Sequence, residues 1–278
     1  MAMTAGLIDS HAHLTTGFFG PRLPAVVQES LAELEAVLVI GAGGGVATAP
    51  AAVALAREHP RLYATVGLHP HDASLFTPAL ISQFRAMARE PAVVALGEMG
   101  LDYHYNRSPP SDQRAAFRAQ LVLARELSIP LVLHIREAWA DALEILRDEL
   151  PLALGGVVHC FTGGPAEAEA ALALGLHLGV SGIATYSHAG ELREVFAAAP
   201  RERLVIETDS PYLSPAPHRR TRPNRPVMVR HVAAALAGWR GETLAEVARA
   251  TTANARRLFA LENPGAEREP HAAVEGRS

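Results

Sequence analysis

The chain has 278 residues, 49% of them hydrophobic, which suits one large domain or two small ones and allows a sizeable core. Its formal net charge is −4, which excludes a uniformly basic nucleic-acid-binding surface but not a locally basic cleft. Every lysine or arginine position is an arginine, so Schiff-base catalysis on lysine, a phosphate-binding loop ending in Gly-Lys-Ser/Thr, and a metal bridge through a carboxylated lysine are excluded.

Short β-branched runs alternate with longer stretches of helical period along the chain. The predicted strands are Leu7–Asp9, Val37–Gly41, Leu62–Gly67, Val93–Gly97, Leu131–His134, Gly156–His159, Leu176–Val180 and Leu204–Glu207. Between them, Gln113–Leu127 and Trp139–Leu150 are typical of helices that return the chain to the start of a parallel strand. Two closing helices are predicted in Gly241–Phe259.

This rhythm predicts a single α/β domain over residues 1–262, folded as a (β/α)8 TIM barrel. A doubly wound open sheet is the competing fold. The barrel is favoured because polar residues recur at the carboxyl ends of strands along the whole chain, and only a closed ring brings those ends to one mouth. Ser214–Pro226 is predicted as a long loop after the last strand, and residues 263–278 as a disordered tail.

The first motif, Asp9-Ser10-His11-Ala12-His13, begins where the first predicted strand ends. Residues two apart on a strand point to the same side, so His11 and His13 are predicted to project together. Two imidazoles must do so to bind one metal ion. A pair of surface histidines without a ligand is the alternative, and the position at a strand end favours metal.

A glutamate between glycines, in Gly97-Glu98-Met99-Gly100, follows the fourth predicted strand. Two cations close together repel each other, so such a pair needs a shared anionic ligand. With no lysine to carboxylate, Glu98 is the natural bridge. A glutamate in a salt bridge near a turn is the alternative.

His134 and His159 each follow an apolar run that is predicted as a strand. Either one alone would more often be a satisfied core or rim histidine, but the same pattern at two strands favours a shared metal centre. Cys160 is expected to be a small buried side chain that faces away from His159. The one cysteine cannot form a disulfide within the chain, which fits a reducing cytoplasm.

Asp209 follows the last predicted strand. A carboxylate there could hold one metal ion and accept a proton from its water, because metal binding lowers the pKa of that water to about 7. Glu207 has a competing claim to this role. We expect Glu207 instead to hold neighbouring loops or the groups that surround the ligands.

The sequence resembles the TatD family of metal-dependent hydrolases and DNases over residues 6–260. The matching motifs are Asp9–His13, Gly67–His71, Gly97–Tyr103, Leu131–Glu137, His159–Gly163, Glu207–Leu213 and Thr251-Thr252-x-Asn254. The resemblance implies a metallo-dependent hydrolase barrel with two divalent metal ions and a catalytic, substrate-facing role for His69. The implied ligands are His11, His13 and Asp209 for one ion, His134 and His159 for the other, and Glu98 as the bridge.

The sequence departs from the usual family motifs at Thr185–His188 and Thr221–Pro226, which leaves the implied ligands intact and puts substrate preference in doubt.

Arginine binds phosphate oxygens through its planar guanidinium group. The predicted substrate-binding residues are His69, His71, Arg136, Arg222 and Arg225. Loop histidines that bond backbone, and a solvated arginine-rich loop, are the alternatives. Tyr103, His104, Tyr105 and Tyr212 could stack on splayed bases or simply pack.

The resemblance therefore predicts a deoxyribonuclease, with 3′–5′ exonuclease action as one form, whose substrate is single-stranded DNA or strand ends. Mixed nitrogen and oxygen ligands suit Zn, Mn, Co or Ni, and Mg could support turnover at a weakly held site. An amidohydrolase-like enzyme for a small ester, lactone or cyclic amide is the alternative, and a non-catalytic binding protein the third reading.

Residues Met1–Gly6 lack the basic and apolar regions of a signal peptide, and no apolar stretch is long enough to span a bilayer. We therefore expect a soluble cytoplasmic protein with no membrane contact. The sequence leaves the oligomeric state open, and a monomer is favoured.

Overall fold

The computed structural model describes residues 6–149 and 155–261. Within these ranges eight parallel strands follow one another around the sheet in chain order. They are β1 (Ile8–Ala12), β2 (Ala36–Val39), β3 (Leu62–Val66), β4 (Val93–Asp102), β5 (Leu131–Arg136), β6 (Gly156–Val158), β7 (Leu176–Val180) and β8 (Leu204–Ile206). The predicted tail at residues 263–278 lies outside the described residues.

The helices lie between and after these strands. They are α1 (Thr16–Phe19), α2 (Leu23–Glu33), α3 (Thr48–Glu58), α4 (Pro78–Met87), α5 (Pro110–Leu127), α6 (Trp139–Glu149), α7 (Pro165–Ala173), α8 (Gly190–Ala198), α9 (Val229–Arg240) and α10 (Leu244–Leu258). In the described part of the chain, none is long and apolar enough to cross a membrane.

The ring closes just beyond the ends of β1 and β8. The Asp209 amide donates to the His11 carbonyl at 2.9 Å, and the His13 amide donates to the Ser210 carbonyl at 2.7 Å. A doubly wound sheet would leave its first and last strands apart in this order. The prediction of a (β/α)8 barrel is therefore confirmed.

Asp9 stabilises the contact between β1 and the segment after β8 from inside the protein. Its buried carboxylate accepts hydrogen bonds from the Thr208 amide at 2.9 Å and the Thr208 hydroxyl at 2.6 Å. The Thr208 hydroxyl also lies 2.7 Å from the Ser210 hydroxyl. Burial raises the pKa of Asp9 well above its usual value, and the bonds from Thr208 only partly oppose this. The contact between β1 and the segment after β8 places His11 beside Asp209.

Apolar side chains fill the barrel below its mouth. Val132 lies two residues before His134 in β5, and Val157 lies two residues before His159 at the end of β6. Because strand residues two apart face the same side, each histidine stands one step above an apolar side chain. The barrel is thus closed by packing at one end and polar at the other, as is usual for this fold.

The structure differs from the sequence prediction at the ends of most strands and in the closing helices. Strands β1, β4 and β5 run three, five and two residues further than predicted, which carries their polar ends toward the barrel mouth, whereas β2, β3, β6 and β8 end one or two residues earlier than predicted. The prediction of two helices in Gly241–Phe259 was wrong, because that stretch holds only α10. Gly241, at φ 65°, ends α9, and the Thr243 hydroxyl then caps α10 by accepting from the Glu246 amide.

Candidate metal centre

Six polar side chains meet at the carboxyl ends of five strands. They are His11 in β1, His13 just after it, Glu98 in β4, His134 in β5, His159 after β6 and Asp209 after β8. The structure thus brings together every residue that the sequence nominated as a metal ligand.

The β1 and β8 ends form one half of this cluster. The Nε2 atoms of His11 and His13 lie 3.3 Å apart. Asp209 Oδ1 lies 3.7 Å from the first and 3.5 Å from the second. Burial would raise the pKa of the Asp209 carboxyl, but the neighbouring histidines, His13 foremost, hold it below its usual value. Asp209 is therefore an anion at neutral pH.

Glu98 lies at the centre of the cluster and is 1% exposed. Its Oε2 lies 3.4 Å from His11 Nε2 and 3.6 Å from His13 Nε2. Its Oε1 lies 2.8 Å from His134 Nδ1 and 3.2 Å from His159 Nε2. Burial alone would raise the pKa of Glu98, yet the surrounding histidines lower it well below the usual value. A buried carboxylate with imidazoles on both oxygens can be shared between two ions.

Among the described residues, ligand atoms converge in three groups that could each hold an ion. These groups are His11, His13 and Asp209; His11, Glu98 and His159; and His69, Glu98 and His134. The first is the set that the sequence assigned to one ion. His134 and His159, assigned together to the other ion, lie in separate groups that share Glu98.

The donor set fits a divalent cation. Imidazole nitrogens mixed with carboxylate oxygens are ligands that Zn, Mn, Co and Ni accept. Glu98 Oε2 is buried and has no hydrogen-bond partner in the described part of the chain. Buried polar atoms are nearly always satisfied, so this oxygen is where a positive charge would be accommodated.

Carboxylates behind the cluster orient two of its histidines. Glu207 Oε1 lies 3.0 Å from His159 Nδ1, so the His159 Nε2 atom faces Glu98. This contact agrees with the supporting role expected for Glu207. His134 is held differently, because its Nε2 lies 3.0 Å from Asp102 Oδ2 while its Nδ1 faces Glu98. The two carboxylates outweigh the effect of burial and raise the pKa of His134.

Asp102 was not singled out from the sequence. Its buried carboxylate also lies 2.9 Å from His71 Nε2, so it joins the segment after β3 to strand β5 at the mouth. Burial would raise the pKa of Asp102, but hydrogen bonds from the histidines lower it strongly. The available signal was the alternation Glu98, Gly100, Asp102, which becomes visible only if β4 continues past Gly97.

His69 faces the cluster in a defined protonation state. The His71 amide donates to His69 Nδ1 at 3.0 Å, so the proton of a neutral His69 ring is on Nε2. That Nε2 lies 3.4 Å from Glu98 Oε1. Burial lowers the pKa of His69 to about 4, so the ring stays neutral and presents an N–H to the site.

Gly100 allows β4 and β5 to lie close enough for these contacts. Its φ is +141°, and a Cβ atom at this position would lie 2.0 Å from the His134 carbonyl oxygen. Only glycine fits such an approach without moving one of the strands. The glycine that the sequence placed near Glu98 therefore controls the distance between Glu98 and His134.

The predicted substrate-binding arginines occupy different surroundings. Arg136 lies in β5 with its guanidinium carbon 4.7 Å from the Tyr105 ring centre. Arg222 is exposed and lines a cavity of about 540 Å³ beside α2. Arg225 lines the same cavity, but Glu29 of α2 holds its guanidinium at 2.7 and 2.8 Å.

Cys160 lies beside the cluster rather than in it. Its Sγ is 3.1 Å from the Ser181 hydroxyl, and the side chain is half-buried. Burial raises the pKa of the Cys160 thiol to about 12, so the sulfur stays protonated. The side chain is less buried than the sequence predicted, and in the described part of the chain Cys160 belongs to none of the three groups that could hold an ion.

Comparison with known proteins supports the family resemblance. The family described as TatD related DNase matches residues 8–260. The uncharacterized metal-dependent hydrolase YabD of Bacillus subtilis is 38% identical over 256 residues, which cover 92% of this chain and 99% of that protein. The 3′-5′ ssDNA/RNA exonuclease TatD of Klebsiella pneumoniae is 43% identical over 215 residues, covering 76% of this chain and 82% of that protein.

A solved structure shows the same relationship. The crystal structure of YJJV, a TatD homologue from Escherichia coli K12, superposes with a TM-score of 0.82 at 31% sequence identity. The match covers 92% of this chain and 98% of that one. The similarity thus extends over the whole barrel and is not confined to the histidine motifs.

Proposed function

Because the chain belongs to the TatD-related DNase family, we propose that it is a metal-dependent deoxyribonuclease that hydrolyses phosphodiester bonds. Its substrate is single-stranded DNA or a strand end, and its action is that of a 3′–5′ exonuclease. The observation that carries this proposal is the buried Glu98 carboxylate, which lies within reach of imidazole nitrogens on both sides. It acts in the cytoplasm, in keeping with its single cysteine, and as a monomer.

Two divalent ions, drawn from Zn, Mn, Co, Ni or Mg, would share this site. Their ligands would be His11, His13 and Asp209 for one, His134 and His159 for the other, and Glu98 for both. When bound, the ions supply positive charge to the phosphate oxygens and lower the pKa of an attacking water.

Asp209 is the proposed general base. Its side chain is 14% exposed, so it reaches the solvent side of the cluster, where a water can approach. The depressed pKa of Asp209 keeps the carboxylate unprotonated at neutral pH, ready to accept a proton from that water. A base so weak is sufficient only when the water is itself acidified.

His69 is the proposed hydrogen-bond donor to a phosphate oxygen. With its Nδ1 occupied by the His71 amide, only the Nε2–H group points into the site. Arg136 and Arg222 would bind the phosphates on either side of the scissile one. His71 would support His69 through the hydrogen bond from its backbone amide. Arg225, paired with Glu29, would act on the substrate by holding the loop that carries Arg222.

Replacement of His69 by alanine is expected to lower kcat on single-stranded DNA by about 10²-fold, since one preorganised donor is lost. His69→Gln, which retains an N–H donor, is expected to lose less. Steady-state kinetics on a labelled oligonucleotide measures both. Because the pKa of His69 is about 4, the wild-type pH–rate profile above pH 5 should show no limb that His69→Ala removes. An unchanged kcat in His69→Ala would contradict the proposed donor.

The proposed function is tested by comparing substrate classes. Chelator-treated protein is reloaded separately with Mg, Mn or Zn and assayed on single-stranded DNA, duplex DNA, RNA, and a panel of lactones and small esters. We expect metal-dependent cleavage of single-stranded DNA at rates far above those for lactones. Lactone or ester hydrolysis without DNA cleavage would assign the site to the amidohydrolase-like chemistry instead.

A further inference from the structure

Two exposed tyrosines flank the metal centre on opposite walls of the barrel mouth. The exposed fractions of Tyr105 and Tyr212 are 51% and 45%, and within the described ranges only two other large hydrophobic side chains are as exposed. Tyr105 follows β4 and Tyr212 follows β8. In a ring of eight strands these two are diametrically opposed, so the histidine and carboxylate cluster lies between the two rings.

The position of Tyr212 is fixed by the turn that carries Asp209. Its amide donates to the Asp209 carbonyl at 2.8 Å, and Asn224 Nδ2 donates to the Tyr212 carbonyl at 2.6 Å. The ring meets Phe18 edge to face, with centres 5.5 Å apart, and its centre lies 6.3 Å from that of His13. Its position therefore follows the position of two proposed metal ligands, while nearly half of its surface stays open.

Tyr105 is fixed to the other wall in a similar way. Its amide donates to Asp102 Oδ1 at 2.8 Å. The guanidinium carbons of Arg136 and Arg107 lie 4.7 and 5.6 Å from the ring centre, and the His71 ring meets it edge-on at 5.5 Å. The His104 ring also meets it edge-on, with centres 4.7 Å apart, and about half of the Tyr105 surface stays exposed. An exposed aromatic ring beside two cations suits a nucleobase next to its phosphate.

The other aromatic candidates in the same loop are already engaged. The Tyr103 hydroxyl donates to Asp141 at 2.6 Å and accepts from Arg114 at 3.0 Å. His104 Nδ1 lies 2.7 Å from Glu137 Oε1. Tyr105 is therefore the tyrosine of this loop whose ring and hydroxyl are free of such carboxylate contacts among the described residues, and Tyr212 is its counterpart after β8.

We propose that Tyr105 and Tyr212 form a tyrosine clamp, in which the two bases that flank the scissile phosphate each stack on one ring. This inference rests on the proposed nuclease function. Base pairing would prevent bases from splaying onto opposite walls, so the clamp selects unpaired strands. A cavity of about 540 Å³ is lined by Phe19 and Pro223, the chain neighbours of Phe18 and Asn224, which both contact Tyr212. This cavity gives the rest of the strand a path on the Tyr212 side, which assigns Tyr212 to the strand body and Tyr105 to the leaving nucleotide.

The clamp is tested by binding, in a protein that does not turn over. Asp209→Asn protein with Mn²⁺ is titrated with oligonucleotides that carry 2-aminopurine at the terminal or the penultimate position. Adding Tyr212→Leu is expected to weaken the Kd about tenfold and to restore the quenched fluorescence of the penultimate probe. Tyr105→Leu should do the same for the terminal probe. The matched variants Tyr212→Phe and Tyr105→Phe keep the ring and should bind within about twofold of the parent.

Abasic oligonucleotides separate stacking from a general effect on the fold. Removing the penultimate base should weaken binding to the parent about tenfold and leave binding to Tyr212→Leu unchanged. If each leucine variant binds the intact strand as tightly as the parent does, or if removing the base weakens a leucine variant as much as it weakens the parent, the clamp is overturned. If the leucine variants show these losses but the wild-type protein cleaves no DNA, the clamp stands and the proposed nuclease function fails.

Discussion

Asp209→Asn should lower kcat on single-stranded DNA about 10³-fold and leave KM within a few fold, because it removes the proposed base for the attacking water. Asp209 has a φ of +55°, a left-handed conformation that asparagine adopts as readily as aspartate. The variant therefore keeps the turn and the oxygen that faces His11 and His13. Pre-steady-state and steady-state cleavage of an end-labelled oligonucleotide gives both constants.

A matched control for this variant is Asp141→Asn. Asp141 is a half-exposed carboxylate that pairs with Arg114 and Tyr103 on the outside of the barrel, and its replacement should change kcat less than about twofold. If Asp209→Asn turns over like the wild type when fully loaded with metal, Asp209 is not the base. Glu207, two residues earlier, would then be the next carboxylate to test.

Replacement of Glu98 by glutamine is expected to abolish the second metal site and to lower kcat more than about 10³-fold. Both Glu98 oxygens face imidazole nitrogens, so a neutral amide with a single acceptor oxygen cannot serve ions on both sides. Titration calorimetry with Mn²⁺ or Zn²⁺, together with elemental analysis, should find two ions in the wild type and at most one in the variant.

The control for Glu98→Gln is Glu207→Gln. This glutamate is also buried but touches only His159 among the proposed ligands, so its loss should weaken metal binding by about 10- to 100-fold without changing the number of ions. Two ions bound to Glu98→Gln with wild-type affinity would show that Glu98 is not the bridge, whatever the effect on turnover.

Most of the proposed metal ligands share one property, since His11, Glu98, His134 and His159 stand at or near the end of an apolar run. Parallel strands in a barrel all end at one mouth, so His134 and His159 could be placed together from their position alone. The pair His11 and His13 needed only the two-residue period of a strand. Local pattern was therefore sufficient for the fold and for bringing the four histidines together, whereas the choice of Asp209 over Glu207 rested on the family resemblance.

The contacts that the sequence did not provide join distant segments or depend on strand length. Arg225 and Glu29 are 196 residues apart, and nothing near Arg225 indicates that α2 supplies its partner. Asp102 joins the site only because β4 continues through a register shift after Gly97. The exposure of Tyr105 and Tyr212 depends on which neighbours fill the loops around them, and a sequence pattern does not contain this information.

The central claim, a metal-dependent exonuclease built around Glu98 and Asp209, is tested most directly by time-resolved cleavage of a single-stranded oligonucleotide labelled at its 5′ end. Chelator-treated protein should be inactive. After Mn²⁺, Zn²⁺ or Mg²⁺ is restored separately, at least one ion should produce a ladder that shortens one nucleotide at a time from the 3′ end, and Asp209→Asn should not. A strand that stays intact with every ion, or that shortens equally with Asp209→Asn, would contradict the account.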